Sequence, residues 1–147
     1  MKIAAIIGAR PQFIKAAAIS RAMLRPGKVP AGLRRNRLFR SSLQMRTCLA
    51  AGYPFVFGFT VYESFESQEV AKTGIVQMPK RGEQALGGHA VLAVGYNDAK
   101  QTFLVRNSWG EDWGMSGYFT LPYKYLGNRN LSDDFWTIRR GELMVSR

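Results

Sequence analysis

The stretch from residue 55 to residue 121 alternates short runs of β-branched and aromatic residues with turns rich in glycine and asparagine. One run is FVFGFTVY, and two more, HAVLAVGY and QTFLVRN, are joined through a turn at Asn97-Asp98-Ala99. Runs of this length and composition are typical of strands connected by tight turns. The sequence therefore predicts a mainly β domain of the α+β kind, built on a small antiparallel barrel. Strands are expected at residues 55–62, 76–78, 89–96, 101–107 and 113–121.

The chain divides into three segments of unlike composition. Residues 1–23 begin with an apolar run, break at Gly8-Ala9-Arg10-Pro11 and continue as an alanine-rich stretch, which predicts a strand, a loop and a helix. Residues 24–42 hold two prolines, two glycines and six basic residues without a clear period, and we expect a disordered basic linker there. Residues 43–147 form the β domain, which opens with a helix at 43–51 stopped by Gly52.

The excess of positive charge is confined to the first part of the chain, because residues 63–147 hold as many acidic as basic residues. The net charge is +11, and residues 1–62 contain 11 of the 21 Lys and Arg residues but no Asp or Glu. Such asymmetry suggests a tail, a targeting segment or a junction between unlike sequences. A basic run can bind nucleic acid by neutralising phosphates. Because no fold signature of a nucleic-acid-binding protein accompanies it, we do not expect nucleic acid as a partner.

Other classes are excluded by residue counts. Cys48 and His89 are the single cysteine and the single histidine, so no intrachain disulfide can form and too few soft ligands exist for a structural zinc site. We expect neither a metal nor a cofactor. One unpaired cysteine favours a reducing compartment such as the cytoplasm. No apolar run approaches the roughly 20 residues of a membrane-spanning helix, so a membrane is not expected as a partner.

His89 is the first candidate for chemistry. A lone histidine is most often a surface residue or a satisfied core residue. Here it follows Gly87-Gly88, which allows a second chain or a substrate to approach, and it begins an apolar strand. If the turn is residues 97–99, His89 pairs directly with Asn107, with Cβ atoms about 5 Å apart. The asparagine oxygen would accept from one imidazole nitrogen and leave the other for a nucleophile.

Two tryptophans follow this pair. Trp109 and Trp113 lie in the segment SWGEDWG, directly after Asn107. A tryptophan beside the pair would shield its hydrogen bond from water and strengthen it. Taken singly, each tryptophan is better explained as a core aromatic between glycine turns.

The combination of these residues resembles the papain family of cysteine peptidases. The segments GGHAVLAVGYN and FLVRNSWGEDWGMSGYFTLPYKY match its histidine and asparagine motifs, and LQMRTCLAAGYPFVFGFTVYESF is similar to the region before the barrel in bacterial members. The resemblance covers about residues 43–144 and implies a partial papain-like barrel, the C-terminal half-domain. It implies that His89 accepts and donates the proton, that Asn107 orients it and that Trp109 covers the pair, with Gly88 in support.

The resemblance also implies that the nucleophile is missing. In the family the catalytic cysteine lies on a long helix of the preceding half, near a glutamine of the oxyanion hole, and no segment here matches that motif. Cys48 lies at a position that is non-catalytic in the resembling proteins. Its neighbours Leu49, Ala50 and Ala51 favour a small buried hydrophobe. We therefore expect a fragment of a cysteine peptidase that is inactive alone.

Residues 1–23 have a separate resemblance. MKIAAIIGARPQFIKAAAISRAM is similar to the amino terminus of the non-hydrolysing UDP-N-acetylglucosamine 2-epimerases, in which Arg10 would lie near the nucleotide phosphates. The match is short and the remaining scaffold of such an enzyme is absent. A fusion, a rearranged gene or an artificial join accounts for two resemblances in one chain, with a sugar-nucleotide enzyme as the least favoured function.

The partners follow from the two main hypotheses. A peptidase fragment would act on a peptide or protein substrate once a cysteine-bearing half is supplied, whereas a binding module would hold a peptide or a partner in the remaining part of the cleft. The isolated chain is expected to self-associate or to need a partner, because one half-domain covers its strands only partly. The side chains expected to be incompletely covered are Phe55, Phe57, Phe59, Val61, Val91, Val94 and Leu104.

Overall fold

A six-stranded antiparallel sheet forms the centre of the computed structural model, which describes residues 33–140. The strands follow one another across the sheet in the order β1-β6-β2-β3-β4-β5, so β2 and β3 are the central pair. The prediction of a mainly antiparallel β domain is confirmed. The strands are β1 (Leu33–Arg37), β2 (Phe55–Tyr62), β3 (Ala85–Asn97), β4 (Thr102–Arg106), β5 (Tyr118–Pro122) and β6 (Ser132–Arg140).

The central strand β2 explains how the sequence builds the core. Its side chains alternate, so Phe55, Phe57 and Phe59 are buried while Val56 is 42% exposed on the other face of the sheet. The ring of Phe57 stacks on that of Phe135 with centroids 5.9 Å apart, which ties β2 to β6. Each fully buried aromatic of this size stabilises the fold by about 1.5–3 kcal/mol.

Short helices cover the core face of the sheet. The longest, α1, directs Met45 and Cys48 inward, and the hydroxyl oxygen of Ser41 accepts a hydrogen bond from the backbone N–H of Gln44 at its start. The predicted helix at 43–51 is confirmed to within one residue, whereas the other helices were missed. The helices are α1 (Ser42–Ala50), the 3₁₀ helix Glu63–Glu66, α2 (Gln68–Thr73) and α3 (Tyr123–Gly127).

The sheet is open rather than closed into the predicted barrel. Within residues 33–140, β1 and β5 are its two edges and no pairing joins them. The edge of β5 is instead contacted by Ile75, which forms an isolated parallel bridge with Thr120. The barrel prediction is therefore corrected to an open sheet.

The linker prediction for residues 24–42 is wrong for residues 33–37, which form β1. This strand pairs with β6 along its whole length, with Arg37 opposite Trp136. The guanidinium groups of Arg35 and Arg37 lie 5.5 and 6.0 Å from the centre of the Trp136 ring. Cation–π contacts and strand pairing therefore order a segment whose arginine-rich composition indicated disorder. The strand β6 itself was not predicted.

Two strand boundaries also differ from the predictions. The predicted strand 113–121 is found only as β5, because residues 113–117 form turns that include Gly114 and Gly117 at positive φ. The strand predicted at 89–96 extends back to Ala85, since its first residues pair with the end of β2. The short extended piece expected at 76–78 contributes no strand of its own.

The core face is better covered than expected. Phe55, Phe57, Phe59, Val61 and Val91, which we expected to be partly uncovered, are all buried, because α1, the 3₁₀ helix and α3 pack over them. Leu104 differs, since it is 36% exposed on the opposite face. Self-association stays a prediction, but these five side chains give no reason for it.

The epimerase-like segment 1–23 lies outside the described residues. Within residues 33–140, no helix is both long enough and apolar enough to cross a membrane.

We predict that Gly74→Ala destabilises the domain far more than Gly82→Ala. Both glycines have positive φ, which costs an alanine about 1 kcal/mol. A Cβ at Gly74 would also lie 2.7 Å from the carbonyl oxygen of Tyr118 and 2.9 Å from the amide nitrogen of Met115, whereas a Cβ at Gly82 meets nothing within 4 Å.

Urea denaturation measures the difference. We expect Gly82→Ala to lower the free energy of unfolding by about 1 kcal/mol and Gly74→Ala by about 3 kcal/mol. Equal losses would show that the contact between α2 and the turn before β5 is not as close as described.

Candidate active site

His89 lies near the beginning of β3 with its side chain on the core face of the sheet. It pairs with Phe59 of β2, and the two rings are 5.8 Å apart. Only 6% of the residue is exposed, because the same alternation that buries Val91 and Ala93 turns His89 inward. The strand therefore delivers a titratable ring to the margin of an aromatic core.

Asn107 follows the last residue of β4 and also points to the core face. Its backbone N–H donates to the carbonyl oxygen of Gly117, which fixes the chain where the strand ends. Its side-chain Oδ1 lies 2.9 Å from Nε2 of His89 and accepts a hydrogen bond from the backbone N–H of Ser108 at 2.8 Å. The N–H of Ser108 can only donate, so the atom of Asn107 that it faces must be the amide oxygen. The same oxygen faces Nε2 and can only accept from it, so Nε2 carries the proton.

The contact between His89 and Asn107 is as expected, but the predicted register is wrong. Leu92 pairs with Arg106, and continuing that register would place Asn107 opposite Val91, two residues from His89. The register shifts by one between Ala93 and Gly95, where β3 bulges. His89 and Asn107 are consequently diagonal neighbours on one face, a separation that an imidazole and an amide can span.

Trp109 lies against His89, and its role in covering the pair stays a prediction. Its ring stacks on that of His89 with centroids 5.1 Å apart and an interplanar angle of 24°. Trp113 does not touch the histidine but packs edge-on against Trp109 at 5.2 Å. Gly88 pairs with Thr60 in the ladder between β2 and β3, directly before His89, and its supporting role stays a prediction.

Phe65 was missed by the sequence analysis. It lies in the 3₁₀ helix, is 1% exposed, and contacts Trp109 at 5.4 Å and Trp113 at 5.5 Å. The segment YESFESQ gives little sign of this role, since a single phenylalanine among polar residues has no periodic pattern. Phe65 therefore packs against both tryptophans.

Burial dominates the electrostatics of the site. Desolvation lowers the pKa of His89 below its usual range, while the hydrogen bond with Asn107 and the negative charge of Glu66 act in the opposite direction. The neutral imidazole is thus favoured. With its proton on Nε2, the unshared electron pair is on Nδ1, for which residues 33–140 supply no hydrogen-bond partner. The ring is therefore prepared to accept a proton at Nδ1.

Cys48 lies apart from this pair. It is on α1, is 2% exposed, and its Sγ donates to the backbone oxygen of Tyr53 at 3.3 Å. A guanidinium nitrogen of Arg139 lies 3.9 Å from the sulfur. The aromatic rings in contact with His89 are instead those of Phe59 and Trp109. Among residues 33–140, no group of three or more His, Cys, Asp and Glu side chains is placed to hold a metal ion.

Comparison with known proteins identifies the family. The model of the papain family of cysteine proteases matches residues 31–134. This chain belongs to the papain family. The match begins before the boundary expected at residue 43, which agrees with the place of β1 in the sheet of this papain-family domain.

Individual relatives give the same result. An uncharacterized peptidase C1-like protein of Acanthamoeba polyphaga mimivirus is 58% identical over 95 residues, covering 65% of this chain and 30% of that protein. Cathepsin B-like CP3 of Giardia intestinalis is 41% identical over 76 residues, 50% of this chain and 24% of its own length. The solved structure of xylellain, a cysteine protease from Xylella fastidiosa, is 42% identical with a TM-score of 0.68, over 73% of this chain and 40% of that one. This papain-family chain thus spans less than half of each relative.

We predict that His89 makes the fold less stable as the pH falls below about 6.5. Its folded pKa is lowered, so the unfolded chain takes up a proton first and the free energy of unfolding decreases, with a slope of at most about 1.4 kcal/mol per pH unit. Chemical denaturation between pH 8 and pH 5 should show this decrease in the natural chain and a smaller one in His89→Gln. Because the chain has one histidine, the difference between the two belongs to His89. Identical pH profiles would contradict the lowered pKa.

We also predict that the thiol of Cys48 is protected by the fold. Because the sulfur is buried, alkylation by iodoacetamide should be slow in the folded chain and rapid in urea. Mass spectrometry of the single thiol measures both rates. Equal rates with and without urea would mean that α1 does not bury Cys48.

Proposed function

We propose that this chain supplies the general base and its orienting amide to a cysteine peptidase active site that hydrolyses peptide bonds. The nucleophilic thiol would come from a segment other than the described residues. The observation that carries this proposal is the hydrogen bond of 2.9 Å between Nε2 of His89 and Oδ1 of Asn107. It leaves Nδ1 as the proton acceptor and holds the ring in one orientation.

The proton transfers follow from this tautomer. Nδ1 of His89 would take the proton of a cysteine thiol, and the thiolate would attack the carbonyl carbon of the substrate. The imidazolium then donates that proton to the nitrogen of the leaving amine as the C–N bond breaks. Water, deprotonated by Nδ1, would then attack the resulting thioester. The C–S bond breaks, the acid is released, and the leaving thiolate takes back the proton from Nδ1. General acid–base assistance of this kind contributes about 10²–10⁴-fold.

Asn107 and Trp109 would serve the charged stage of this cycle. When His89 becomes an imidazolium, the hydrogen bond to Asn107 becomes charge-assisted and therefore stronger. The stacked indole of Trp109 excludes water from that bond and places its negative ring face against the cation. The low pKa of the buried ring means that the proton is released readily to the leaving group.

Cys48 is not favoured as the nucleophile. Its thiol is buried in the core and donates to the backbone oxygen of Tyr53. It is therefore placed neither to attack a substrate carbonyl nor to give its proton to Nδ1 of His89. The resemblance likewise places the family's nucleophile in a different half of the fold. We propose that Cys48 has a packing role.

A peptide-binding module is the second candidate. It is supported by the burial of the aromatic core under the chain's own helices, which is the property of a domain that is stable without a second half. Such a module would keep the surface around His89 as a binding site and use the histidine without covalent chemistry.

Complementation tests the proposed function. The full chain is mixed with a separately produced cysteine-bearing half of a papain-family relative and assayed with a fluorogenic peptide. We expect no turnover from the chain alone, turnover from the mixture that an epoxide thiol inhibitor blocks, and loss of that turnover by 10²-fold or more in His89→Ala.

Cys48→Ser is the matched control, and we expect it to leave the turnover of the mixture unchanged. Turnover by the chain alone that is lost in Cys48→Ser would identify Cys48 as the nucleophile. A mixture that binds but never turns over would favour the binding module.

A further inference from the structure

The carboxylate of Glu83 joins two backbone segments beside the active site. One oxygen, Oε1, accepts the N–H of Ser64 at 2.7 Å, and the other, Oε2, accepts the N–H of Lys80 at 2.8 Å. Two backbone bonds reinforce the junction, from Glu63 to Gln84 and from Glu83 to Lys80, each 3.2 Å long. Glu83 therefore ties the turn before β3 to the 3₁₀ helix.

This carboxylate binds in its charged form. The hydrogen bond with the side chain of Ser64 lowers the pKa of Glu83 most. Desolvation opposes it, and the backbone N–H groups of Lys80 and Ser64 lower the pKa further. An ionised carboxylate with a short N–H donor on each oxygen makes two charge-assisted hydrogen bonds, which are stronger than neutral ones. The turn before β3 is thus held by two charge-assisted hydrogen bonds, although it lies at the surface.

The residue after Ser64 connects the hydrogen bonds of Glu83 to the pair of His89 and Asn107. The next residue, Phe65, is buried and contacts Phe59 at 5.1 Å and Trp109 at 5.4 Å. Trp109 in turn stacks on His89 at 5.1 Å. A displacement of the 3₁₀ helix would move Phe65, and Trp109 would then lose one of the two aromatic rings, Phe65 and Trp113, that pack against it besides the imidazole.

We propose that Glu83 is a positioning residue for His89: by fixing the amide of Ser64 it holds Phe65 against Trp109 and so keeps the indole stacked on the imidazole. The inference rests on the proposed function, because a fixed orientation of the imidazole matters only if His89 transfers a proton. Its test does not depend on peptidase activity, so failure of complementation and failure of this proposal are separate results.

The experiment is NMR spectroscopy of the full chain and of Glu83→Ala, Glu83→Gln and Glu63→Ala. The single histidine gives one set of imidazole signals, which stacking on an indole shifts upfield. Spectra at pH 8 keep the imidazole neutral, so the charge of Glu66 does not alter its protonation. Amide hydrogen exchange at Ser64 and Lys80 reports the junction itself.

We expect Glu83→Ala to speed exchange at both amides by about tenfold or more and to move the imidazole signals toward those of free histidine. Glu83→Gln keeps one acceptor oxygen and should restore the imidazole signals in part, which also covers the case that Glu83→Ala does not fold. Glu63→Ala removes an exposed carboxylate from the same 3₁₀ helix and should leave the signals unchanged.

Two results would overturn the proposal. Unchanged exchange at Ser64 in Glu83→Ala would show that the carboxylate does not hold the 3₁₀ helix. Faster exchange with unmoved imidazole signals would show that the junction exists but does not position His89.

Discussion

The pairing of β2 with β3 is the contact on which the rest of the described structure depends. It runs from Phe55 opposite Ala93 to Val61 opposite Gly87, and β6 and β4 attach on either side. Because side chains alternate, the register that buries the phenylalanines of β2 also turns His89 inward. A slip of one residue would expose the core and remove the imidazole from Asn107 at the same time.

The site is built at some cost to the stability of the domain. A buried imidazole and a buried amide lose hydration, and their mutual hydrogen bond compensates only in part. The Nδ2 of Asn107 and the hydroxyl of Ser108 are buried and have no partner among residues 33–140. The polar pair adjoins the contacting rings of Phe65, Trp109 and Phe119, and this aromatic packing offsets part of these losses.

The sequence predicted the elements whose pattern lies within one segment. It failed for elements that form only through contacts with residues far away in the chain. The limits of β2 could be predicted because alternation and aromatic content lie within the strand itself. The segment 33–37 looks like a linker, and it becomes a strand only through β6, whose Trp136 lies about a hundred residues away. The pairing of His89 with Asn107 was inferred from an ideal hairpin. The turn is longer than that hairpin assumes, because Asn97 pairs with Thr102, and the bulge in β3 then shifts the register by one residue. The contact is kept because both side chains face the core.

The arginines of β1 also bear on how two copies of the sheet can meet. An edge strand offers unpaired backbone groups to another chain, and natural sheets guard such edges with charge or with a covering segment. Among residues 33–140, Arg34 and Arg37 give one edge a positive charge, and the bridge of Ile75 to Thr120 covers part of the other. Two such edges would repel each other. Growth of the sheet from molecule to molecule, the first step toward fibrils, is therefore opposed at both ends.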